Sequence, residues 1–343
     1  MKKRPFGRTA EGRAVEQVVL ESADAAVAIL SLGAVVRDWR IDGPTGSLPM
    51  VLGFPTVEAY ERHARSHGAV CGRVANRIKD ARFSLDGKDY ILDANEGQNQ
   101  LHGGPQGLGS RVWEMEVDGP AVELRLTSPD GDQGFPGTVA FSVRYWLEGD
   151  RLVCEMLGLP DRPTPINLAN HSYYNLGGSG TVRDHLLWVD AEDYTPTDGD
   201  LIPLGEFRPV EGTHLDFREP REIGDTRLDQ NLVLRPGRDT ARPAARAECP
   251  RTGVGLELWT AEPGLQLFDA PEMMIATPGH DGQSYGPYAG LCLEAQHHPD
   301  SVHHPDWPSV IRTPEALGRR TRRSPRTWPT GWRSPRNSVA PMK

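Results

Sequence analysis

Apolar and polar residues alternate at every second position along most of this chain. Residues 113–117 read Trp-Glu-Met-Glu-Val, and residues 122–126 read Val-Glu-Leu-Arg-Leu, with Asp118-Gly119-Pro120 between them. A period of two places successive side chains on opposite faces of a strand, and Asp, Gly and Pro favour turns. This stretch is therefore predicted to form an antiparallel hairpin.

The same pattern recurs on both sides of that hairpin. Residues 83–92 turn at Asp86-Gly87, a dipeptide that favours the two-residue loops of β-hairpins. Residues 139–147 and 152–156 form a further pair across Glu148-Gly149-Asp150. Additional strands are predicted at residues 26–30, 254–258, 265–267 and 291–293.

One segment, residues 57–67, has the apolar spacing of a helix, with Thr56 as its N-cap. His63 and His67 are spaced one helical turn apart there, and without an acidic partner they are assigned to a solvated helix face. The 37 Gly and 30 Pro residues supply the turns of a β protein. The pattern predicts an all-β antiparallel fold with very little helix, and it does not fix the strand order.

Composition excludes several classes of protein. Charged residues make up 25% and hydrophobic residues 37%, which is typical of a soluble globular chain with a core. The apolar runs are shorter than the roughly 18 residues of a membrane span, and no apolar stretch follows Met-Lys-Lys-Arg as in a signal peptide. A cytoplasmic protein without membrane association is therefore expected. The net charge of −9 disfavours a general nucleic-acid binder.

Cysteine and histidine spacing indicates neither a disulfide framework nor a metal site. The four cysteines lie far apart without a Cys-x-x-Cys pair, and free thiols are expected: Cys71, Cys154, Cys249 and Cys292. His297-His298 and His303-His304 match no established pattern of metal ligands, and the neighbouring prolines indicate a surface loop. No metal site is predicted.

A dense polar and aromatic run at residues 167–176 carries the strongest candidate chemistry. Three prolines between residues 160 and 165 precede it and Gly177-Gly178 follows it, which indicates an irregular segment at the end of a sheet. His171 can change charge near neutral pH, whereas the amides and hydroxyls around it cannot. Taken alone, the run suits either a proton-transferring histidine or a buried histidine that is hydrogen-bonded within a loop.

This run resembles the Asn-His-Ser-Tyr-Phe-Asn-Leu signature of the galactose mutarotase (aldose 1-epimerase) family. Three further stretches resemble the family in the same order: residues 72–78 (Gly-Arg-Val-Ala-Asn-Arg-Ile), Leu101-His102-Gly103-Gly104, and Cys292-Leu293-Glu294-Ala295-Gln296. With shorter matches, the resemblance covers roughly residues 15–311. It implies one large β-sandwich of twisted antiparallel sheets, the galactose mutarotase-like supersandwich, with the sugar in a cleft on one face.

The resemblance also implies mutarotation, the interconversion of the α and β anomers of free hexoses such as galactose and glucose. A base takes the proton of the C1 hydroxyl while an acid protonates the ring oxygen, so no cofactor is needed. Glu294 is the candidate base because it follows the apolar residues 289–293, where a strand would direct it into a cleft. His171 is the candidate acid, because a nearby carboxylate favours its protonated form. The resemblance implies the same two roles.

Other polar residues suit the hydroxyl groups of a sugar. Arg77 can bind two oxygens with its guanidinium, and Asp229 can accept hydrogen bonds from adjacent hydroxyls. By resemblance, the substrate contacts beside His171 are Asn76, Arg77, His102, Ser172, Tyr173, Asp229 and Gln266. The stretch around Asp229 matches less closely, because Gln230 stands where the family usually has His. A surface ion pair at Arg77, a turn at Asp229 and a simple loop at His102 are the structural alternatives.

The chain departs from the family after Ile311. Family members usually close with a Pro-Gly-Glu turn and one more strand, whereas residues 312–343 are rich in Arg and Pro and lack a period of two. Their nine Lys or Arg and single Glu leave a net charge of −17 on the rest of the chain. We predict one domain at residues 1–312 and a basic tail at residues 313–343, whose composition is typical of disorder or of translation in a shifted frame. A missing last strand would leave a sheet edge unpaired.

Two other functions remain open. One is a carbohydrate-binding protein that keeps the fold and the sugar contacts without catalysis, because fold alone does not decide function. The other is an epimerase of phosphorylated sugars, which should show additional arginines around the cleft. Glu294 and His171 together favour the mutarotase. The expected partner is a small aldose, with no nucleic acid or membrane, and the expected assembly is a monomer or a homodimer.

Overall fold

The computed structural model describes residues 1–43, 46–63, 66–314 and 330–333, which form mostly β-strands and, in these ranges, one α-helix, α1 (Val57–His63). The first strands in chain order are β1 (Arg4–Arg8), β2 (Ala14–Glu21), β3 (Ala25–Leu30), β4 (Val36–Gly43), β5 (Gly46–Pro49), β6 (Val70–Cys71), β7 (Arg77–Ile78), β8 (Arg82–Leu85), β9 (Lys88–Ile91), β10 (Gln100–Leu101), β11 (Glu114–Asp118), β12 (Ala121–Ser128), β13 (Val139–Glu148) and β14 (Arg151–Pro160). The remaining strands are β15 (Thr164–Pro165), β16 (Ala169–Asn170), β17 (Tyr173–Tyr174), β18 (Leu186–Val189), β19 (Ala191–Tyr194), β20 (Arg208–Pro209), β21 (Arg221–Glu222), β22 (Asp229–Leu234), β23 (Ala245–Cys249), β24 (Val254–Trp259), β25 (Gly264–Phe268), β26 (Leu291–Gln296), β27 (Ile311–Arg312) and β28 (Thr330–Arg333).

Three antiparallel sheets contain most of these strands. The first has the order β1-β2-β3-β4-β5, and the largest has the order β11-β12-β13-β14-β28-β24-β23-β18-β21. The third, which carries the candidate site, has the order β17-β26-β25-β22-β19-β20. Neighbouring strands within it are antiparallel throughout. The predicted all-β antiparallel fold is confirmed.

The large sheets share one apolar core. Leu265 and Leu267 of β25 belong to the same cluster of buried side chains as Leu256 and Leu258 of β24. Trp39 of β4 joins this cluster from the first sheet. Burying one leucine side chain contributes about 1.5–3 kcal/mol, so this contact stabilises the sandwich. The apolar core covers one face of the third sheet, and the opposite face is left for polar residues.

The predicted hairpins are present. β8 and β9 pair across Asp86-Gly87, whose φ values of 52° and 75° are both positive, as a type I′ turn requires. β11 pairs with β12 and β13 pairs with β14, as predicted, and β12 also pairs with β13, which joins the two hairpins into a meander of consecutive antiparallel strands. These elements follow from local alternation and turn chemistry alone.

The helix is shorter than predicted. The Thr56 side-chain oxygen accepts a hydrogen bond from the Ala59 N–H at 3.3 Å, which confirms the N-cap. The helix ends at His63, and His67 is buried beyond it, so the predicted solvated face is wrong for His67. Gly68 follows with φ +72°, where a Cβ would approach the Val36 carbonyl oxygen to 2.3 Å, so the chain turns inward here as only glycine permits. Within the described ranges, no helix is long and apolar enough to span a membrane.

One strand comes from the C-terminal segment. β28 lies between β14 and β24 in the largest sheet, with Trp332 in register with Leu152 and with Leu258. The sequence pattern did not predict this strand, which links two edges that would otherwise be unpaired. Residues 315–329 and 334–343 lie outside the described residues. The predictions of disorder and of a shifted frame concern mainly these residues and stay predictions.

Candidate active site

One face of β26 packs in the apolar core, and the other carries a candidate catalytic residue. Leu291 and Leu293 pack in the apolar core, and Glu294, between Leu293 and Ala295, points to the opposite face because successive strand side chains alternate. The register pairs Glu294 with Gln266 on β25 and Gln266 with Asn231 on β22. These three side chains form a polar row across the third sheet.

His171 lies between two very short strands that bring it beside this row. β16 ends just before it and pairs with β6, while β17 begins two residues later and pairs Tyr173 with Cys292 of β26. The predicted irregular segment at a sheet end is therefore present. His171 Nε2 lies 3.5 Å from Glu294 Oε1, and the two side chains are 6% and 2% exposed.

A cavity of about 270 Å³ opens around this pair. Its lining combines polar groups, aromatic rings and one aliphatic side chain: Ser66, Asn76, Arg77, Glu96, Leu101, His102, His171, Tyr173, Asp229, Gln266, Phe268 and Glu294. The fold thus brings together every predicted site residue except Ser172, from segments more than 200 positions apart in sequence.

Ser172 does not line the cavity. Its hydroxyl donates a hydrogen bond to Asn170 Oδ1 at 2.6 Å, and the residue is buried. Along nearly extended backbone, adjacent side chains point in opposite directions, so His171 and Tyr173 face the cavity while Ser172 faces away. The structure does not support the predicted contact between the Ser172 side chain and the sugar.

Four lining residues were not found by sequence reasoning: Ser66, Glu96, Leu101 and Phe268. Phe268 is two positions beyond Gln266 on β25, so strand alternation would have placed it on the same face. Glu96 gave no such signal, because it lies outside the longer strands, bridged to Asn99 across a short turn, and its role depends on Arg77. Arg77 donates to both carboxylate oxygens of Glu96, at 2.6 and 2.8 Å.

Asn76 and His102 fix each other on the neighbouring wall. The Asn76 backbone N–H donates to His102 Nδ1 at 3.2 Å, and Asn76 Oδ1 accepts from the Arg77 N–H at 2.8 Å. Because Nδ1 accepts, neutral His102 carries its hydrogen on Nε2. Burial, with a contribution from His171, lowers the pKa of His102 well below its ordinary value, so it is a neutral donor.

Asp229 on β22 and Gln266 on β25 are diagonal neighbours on adjacent strands. Gln266 Nε2 donates to Asp229 Oδ1 at 2.9 Å. Burial raises the pKa of Asp229, and the Arg77 guanidinium opposes that rise. The remaining oxygen lone pairs of the carboxylate are the acceptors that adjacent sugar hydroxyls would use.

Burial displaces the pKa values of the central pair in opposite directions. It raises the pKa of Glu294 to about 8, with a further rise from Asp229 and a smaller opposing effect of Arg77. It lowers the pKa of His171 to about 4. The prediction that a nearby carboxylate favours the imidazolium is wrong for the free protein, because desolvation is the largest influence on the pKa of His171 and lowers it. Between these pKa values, the pair holds one proton in total.

An aromatic stack fixes the plane of the His171 ring. Tyr173 stacks on His171 with ring centroids 5.0 Å apart, and His67 stacks on the other face of that tyrosine at 4.1 Å. Burial lowers the pKa of His67 to about 3, so it contributes a neutral ring. The role of His67 is therefore internal packing rather than contact with solvent.

The described residues offer two groups with closely spaced potential metal ligands. In the first, one ligand atom each of His171, Cys292 and Glu294 lie within 4.8 Å of one another, but the closest contacts of the histidine use different ring nitrogens, Nδ1 toward Cys292 and Nε2 toward Glu294. In the second, both ring nitrogens of His185 are engaged, Nδ1 by Asp184 at 2.9 Å and Nε2 by the Leu176 N–H at 3.0 Å.

The predicted surface loop of histidines is partly internal. All four cysteines are free, as predicted, and all four are buried. His298 is also buried, and its Nδ1 lies 3.0 Å from Asn231 Nδ2, so the assignment to a surface loop is wrong for this residue. His303 Nδ1 lies 2.7 Å from Asp300 Oδ1, which in turn accepts from the Lys79 N–H. These contacts brace the segment that follows Arg77.

Comparison with known proteins supplies the family. The family model described as aldose 1-epimerase matches residues 16–317 of this chain. The chain belongs to the aldose 1-epimerase family. It is 37% identical to the galactose mutarotase of Rattus norvegicus, over 88% of this chain and 91% of that protein. It is 34% identical to the aldose 1-epimerase of Escherichia coli strain K12, over 84% of this chain and 87% of that protein.

Solved structures of aldose 1-epimerase relatives share the fold. An aldose epimerase homologue from C. elegans superposes with a TM-score of 0.83 at 28% identity and covers 93% of this chain and 99% of its own. A galactose 1-epimerase from Lactobacillus acidophilus gives a TM-score of 0.79 at 25% identity, over 97% and 98% of the two chains. The resemblance read from the motifs is confirmed, and with it the sandwich.

Proposed function

We propose that this protein is an aldose 1-epimerase that interconverts the α and β anomers of free hexoses such as galactose and glucose. The observation that carries the proposal is the buried pair of His171 and Glu294, with Nε2 and Oε1 3.5 Å apart on the wall of a polar cavity. A carboxyl and an imidazole that share one proton supply a base and an acid to the same substrate.

The proposed cycle uses both groups twice. Glu294 accepts the proton of the C1 hydroxyl as the bond between C1 and the ring oxygen breaks, and His171 donates its proton to that oxygen. The C1–O bond becomes the carbonyl of the open-chain aldehyde. Rotation about C1–C2 presents the other carbonyl face, and the two proton transfers reverse as the ring closes. Atoms, electrons and protons balance without another reactant.

The free protein can adopt the protonation state that the reaction requires. The cycle starts from the Glu294 carboxylate and the His171 imidazolium, whereas burial favours both neutral forms. Both arrangements hold the same number of protons, so one proton transfer within the pair interconverts them. Hydrogen bonds from sugar hydroxyls stabilise the carboxylate and therefore favour the reactive form.

The other polar lining residues are assigned to substrate binding: Asn76, Arg77, His102, Tyr173, Asp229 and Gln266. Their donors and acceptors match ring hydroxyls, which both donate and accept. Glu96 holds the Arg77 guanidinium in place through two hydrogen bonds. Phe268 supplies an apolar surface for the C–H face of the ring.

The cavity suits neutral sugars better than phosphorylated ones. Glu96, Asp229 and Glu294 are its carboxyl groups, and Arg77, already paired with Glu96, is its arginine. A phosphate group carries a charge close to −2 at neutral pH and would be repelled by this lining. A binding protein without catalysis would not need a buried acid and base whose pKa values are displaced, because such displacement is a mark of proton-transfer sites.

Other properties stay predictions from the sequence. They are a cytoplasmic location, the absence of nucleic-acid and membrane partners, and a monomeric or homodimeric state.

Polarimetry tests the proposal directly. Freshly dissolved α-D-galactose and α-D-glucose should reach the equilibrium rotation faster with the protein than without it, and Glu294→Gln should remove most of the acceleration. Glu262→Gln is a suitable control, because Glu262 also contacts a histidine, His297, at 2.7 Å but does not line the cavity. Sugar binding without any acceleration would identify a carbohydrate-binding protein instead.

A further inference from the structure

We propose that Glu96 determines which sugars the cavity accepts: it neutralises Arg77 and thereby restricts the site to uncharged aldoses, excluding hexuronates. This inference rests on the proposed function, because it takes the cavity as the sugar site, and it adds the residue that selects among sugars. Galacturonate is the sharpest case, since it differs from galactose only at C6, where a carboxylate replaces the hydroxymethyl group.

The contact between Glu96 and Arg77 is short and two-pronged. Arg77 Nε lies 2.6 Å from Glu96 Oε2, and Arg77 Nη2 lies 2.8 Å from Glu96 Oε1. The arginine side chain is 11% exposed and the glutamate side chain is 37% exposed, so the pair lies at the boundary between the cavity and solvent. Two parallel hydrogen bonds between a guanidinium and a carboxylate fix both groups, and the two charges offset each other.

The backbone holds Glu96 in this position. Its N–H donates to the Asn99 carbonyl oxygen at 3.2 Å, and the Asn99 N–H donates back to the Glu96 carbonyl oxygen at 2.9 Å. The Asn95 side chain closes the same turn, because it accepts from the Leu101 N–H at 2.7 Å and donates to the Leu101 carbonyl oxygen at 3.0 Å. The carboxylate is therefore placed beside Arg77 before a sugar binds.

The pair lies between two cavities. Arg77 and Glu96 line the cavity of about 270 Å³ around the catalytic pair, and they also line a neighbouring cavity of about 460 Å³. Among the described residues that line the two cavities, Arg77 is the one lysine or arginine. The other acidic residues of the two linings are Asp80, Asp200, Asp229 and Glu294. Once Glu96 neutralises Arg77, this described lining repels a carboxylate and offers it no unpaired guanidinium or ammonium group.

The charge of Glu96 acts across the cavity. Burial raises the pKa of Asp229, and the charge of Glu96 adds to that rise. The carboxylate of a bound hexuronate would lie in the same cavity and would be repelled in the same way. Like charges a few ångströms apart near a protein surface change affinity by roughly ten- to a hundredfold. One glutamate at this place is therefore sufficient to separate neutral from anionic sugars.

Glu123 provides a matched control. Its two carboxylate oxygens accept from Arg125 Nε at 3.1 Å and from Arg125 Nη2 at 2.6 Å, so this pair has the same two-pronged form. Glu123 lies on β12 and lines neither of the two cavities. Glu123→Gln therefore removes one negative charge and one arginine pair without changing the charge beside the sugar.

The test compares galactose with galacturonate at neutral pH, with dissociation constants from calorimetric titration and with kcat and KM from polarimetry. The parent protein should bind galacturonate at least about tenfold more weakly than galactose. Glu96→Gln should bind galacturonate roughly ten- to a hundredfold more tightly than the parent does, because the repulsion is removed and Arg77 can pair with the sugar carboxylate. Its KM for galactose should rise a few-fold at most, since the amide oxygen still accepts one hydrogen bond from Arg77.

Two further variants separate charge from positioning. Glu96→Asp keeps the negative charge beside Arg77, so it should still exclude galacturonate. Glu123→Gln should change the affinity for neither sugar. A loss of positioning alone would weaken the binding of both sugars, whereas a loss of charge selectivity improves the binding of one of them.

Three results would overturn the inference. The first is a parent protein that binds galacturonate as tightly as galactose. The second is a Glu96→Gln protein with the parent's preference between the two sugars, which would leave Glu96 only a positioning role. The third is a Glu96→Asp protein that binds galacturonate as tightly as Glu96→Gln does. Binding is measured independently of turnover, so a gain of galacturonate binding in Glu96→Gln without accelerated mutarotation of galactose by the parent would sustain the inference and refute the proposed catalysis.

Discussion

Two pairs of a histidine and a carboxyl group behave in opposite ways in this molecule. In the cavity, His171 and Glu294 are buried together, and the pKa of the carboxyl is raised to about 8. Beside β18, Asp184 contacts His185 at 2.9 Å, and the pKa of that carboxyl is lowered. Proximity of the two groups therefore does not decide what the pair can do.

Solvent and a third partner account for the difference. Desolvation is the largest single influence on both carboxyls, but the Asp184 side chain is 38% exposed and also accepts a hydrogen bond from Arg251. The hydrogen bonds and the charge attraction of Arg251 and His185 together outweigh its desolvation. Glu294 is 2% exposed, and one of its oxygens, Oε2, has no hydrogen-bond partner among the described residues. A carboxyl that is buried and incompletely satisfied can take up a proton at neutral pH, whereas Asp184 stays ionised.

The largest expected effect comes from removing the base. Glu294→Gln keeps the shape of the side chain but cannot accept a proton, so kcat should fall roughly 10²- to 10⁴-fold with little change in sugar affinity. Asp184→Asn, the matched change in the other pair, should leave kcat unaltered. Polarimetric rates and sugar titrations measure both. A folded, sugar-binding Glu294→Gln protein with nearly the parent kcat would refute the mechanism.

Removing both members of the catalytic pair sharpens the comparison. His171→Asn should also lower kcat roughly 10²- to 10⁴-fold, and the double variant with Glu294→Gln should lose less than the product of the two single losses. The reason is that acid and base act in one concerted step. Losses that multiply would show that the two groups act independently.

The pH profile should be bell-shaped, with limbs near about 4 and about 8. Below the lower limb, the pair gains a second proton and Glu294 cannot act as the base. Above the upper limb, it loses its last proton and His171 cannot act as the acid. The limbs belong to the coupled pair rather than to either residue. A kcat/KM profile that stays flat between pH 4 and 9 would contradict the shared proton.

Binding residues should change KM more than kcat. Arg77→Lys keeps a positive charge but loses the two-pronged contact with Glu96, and Asp229→Asn loses an anionic acceptor. Each should raise KM roughly ten- to a hundredfold, because one charge-assisted hydrogen bond contributes about 1.5–3 kcal/mol. Steady-state kinetics over a range of galactose concentrations separate the two parameters. An equal fall in kcat and kcat/KM would instead assign these residues to the transition state.

The smallest effect is on stability, and its sign should differ between the two pairs. Glu294, with a raised pKa, stabilises fully below its unfolded value and loses that contribution as the pH rises through about 8, so Glu294→Gln should raise Tm by a few degrees at alkaline pH. Asp184, with a lowered pKa, stabilises above its unfolded value, so Asp184→Asn should lower Tm near neutrality and not at strongly acidic pH. Thermal unfolding followed from pH 3 to 9 compares them. Parallel curves for both variants would contradict the opposite pKa shifts.

Local features were readable from the sequence. Side-chain alternation and turn dipeptides act over a few neighbouring residues. The hairpin at Asp86-Gly87, the hairpins β11–β12 and β13–β14 and the cap at Thr56 were therefore predicted correctly. The motifs around His171 and Glu294 identified the family, because short motifs in a fixed order along the chain can be recognised from the sequence alone.

Other features were decided by tertiary structure. Several features depend on residues that are not neighbours in sequence. They are the displaced pKa values of His171 and Glu294, the pairing of Arg77 with Glu96, and the contact of Cys292 with His171. The same holds for β28, whose place between β14 and β24 has no local signal. Periodicity reports which face of its own strand a side chain occupies. The desolvation of a side chain and its pairing with other groups depend on which residues of the rest of the fold pack against that face. Only the assembled sandwich determines those residues.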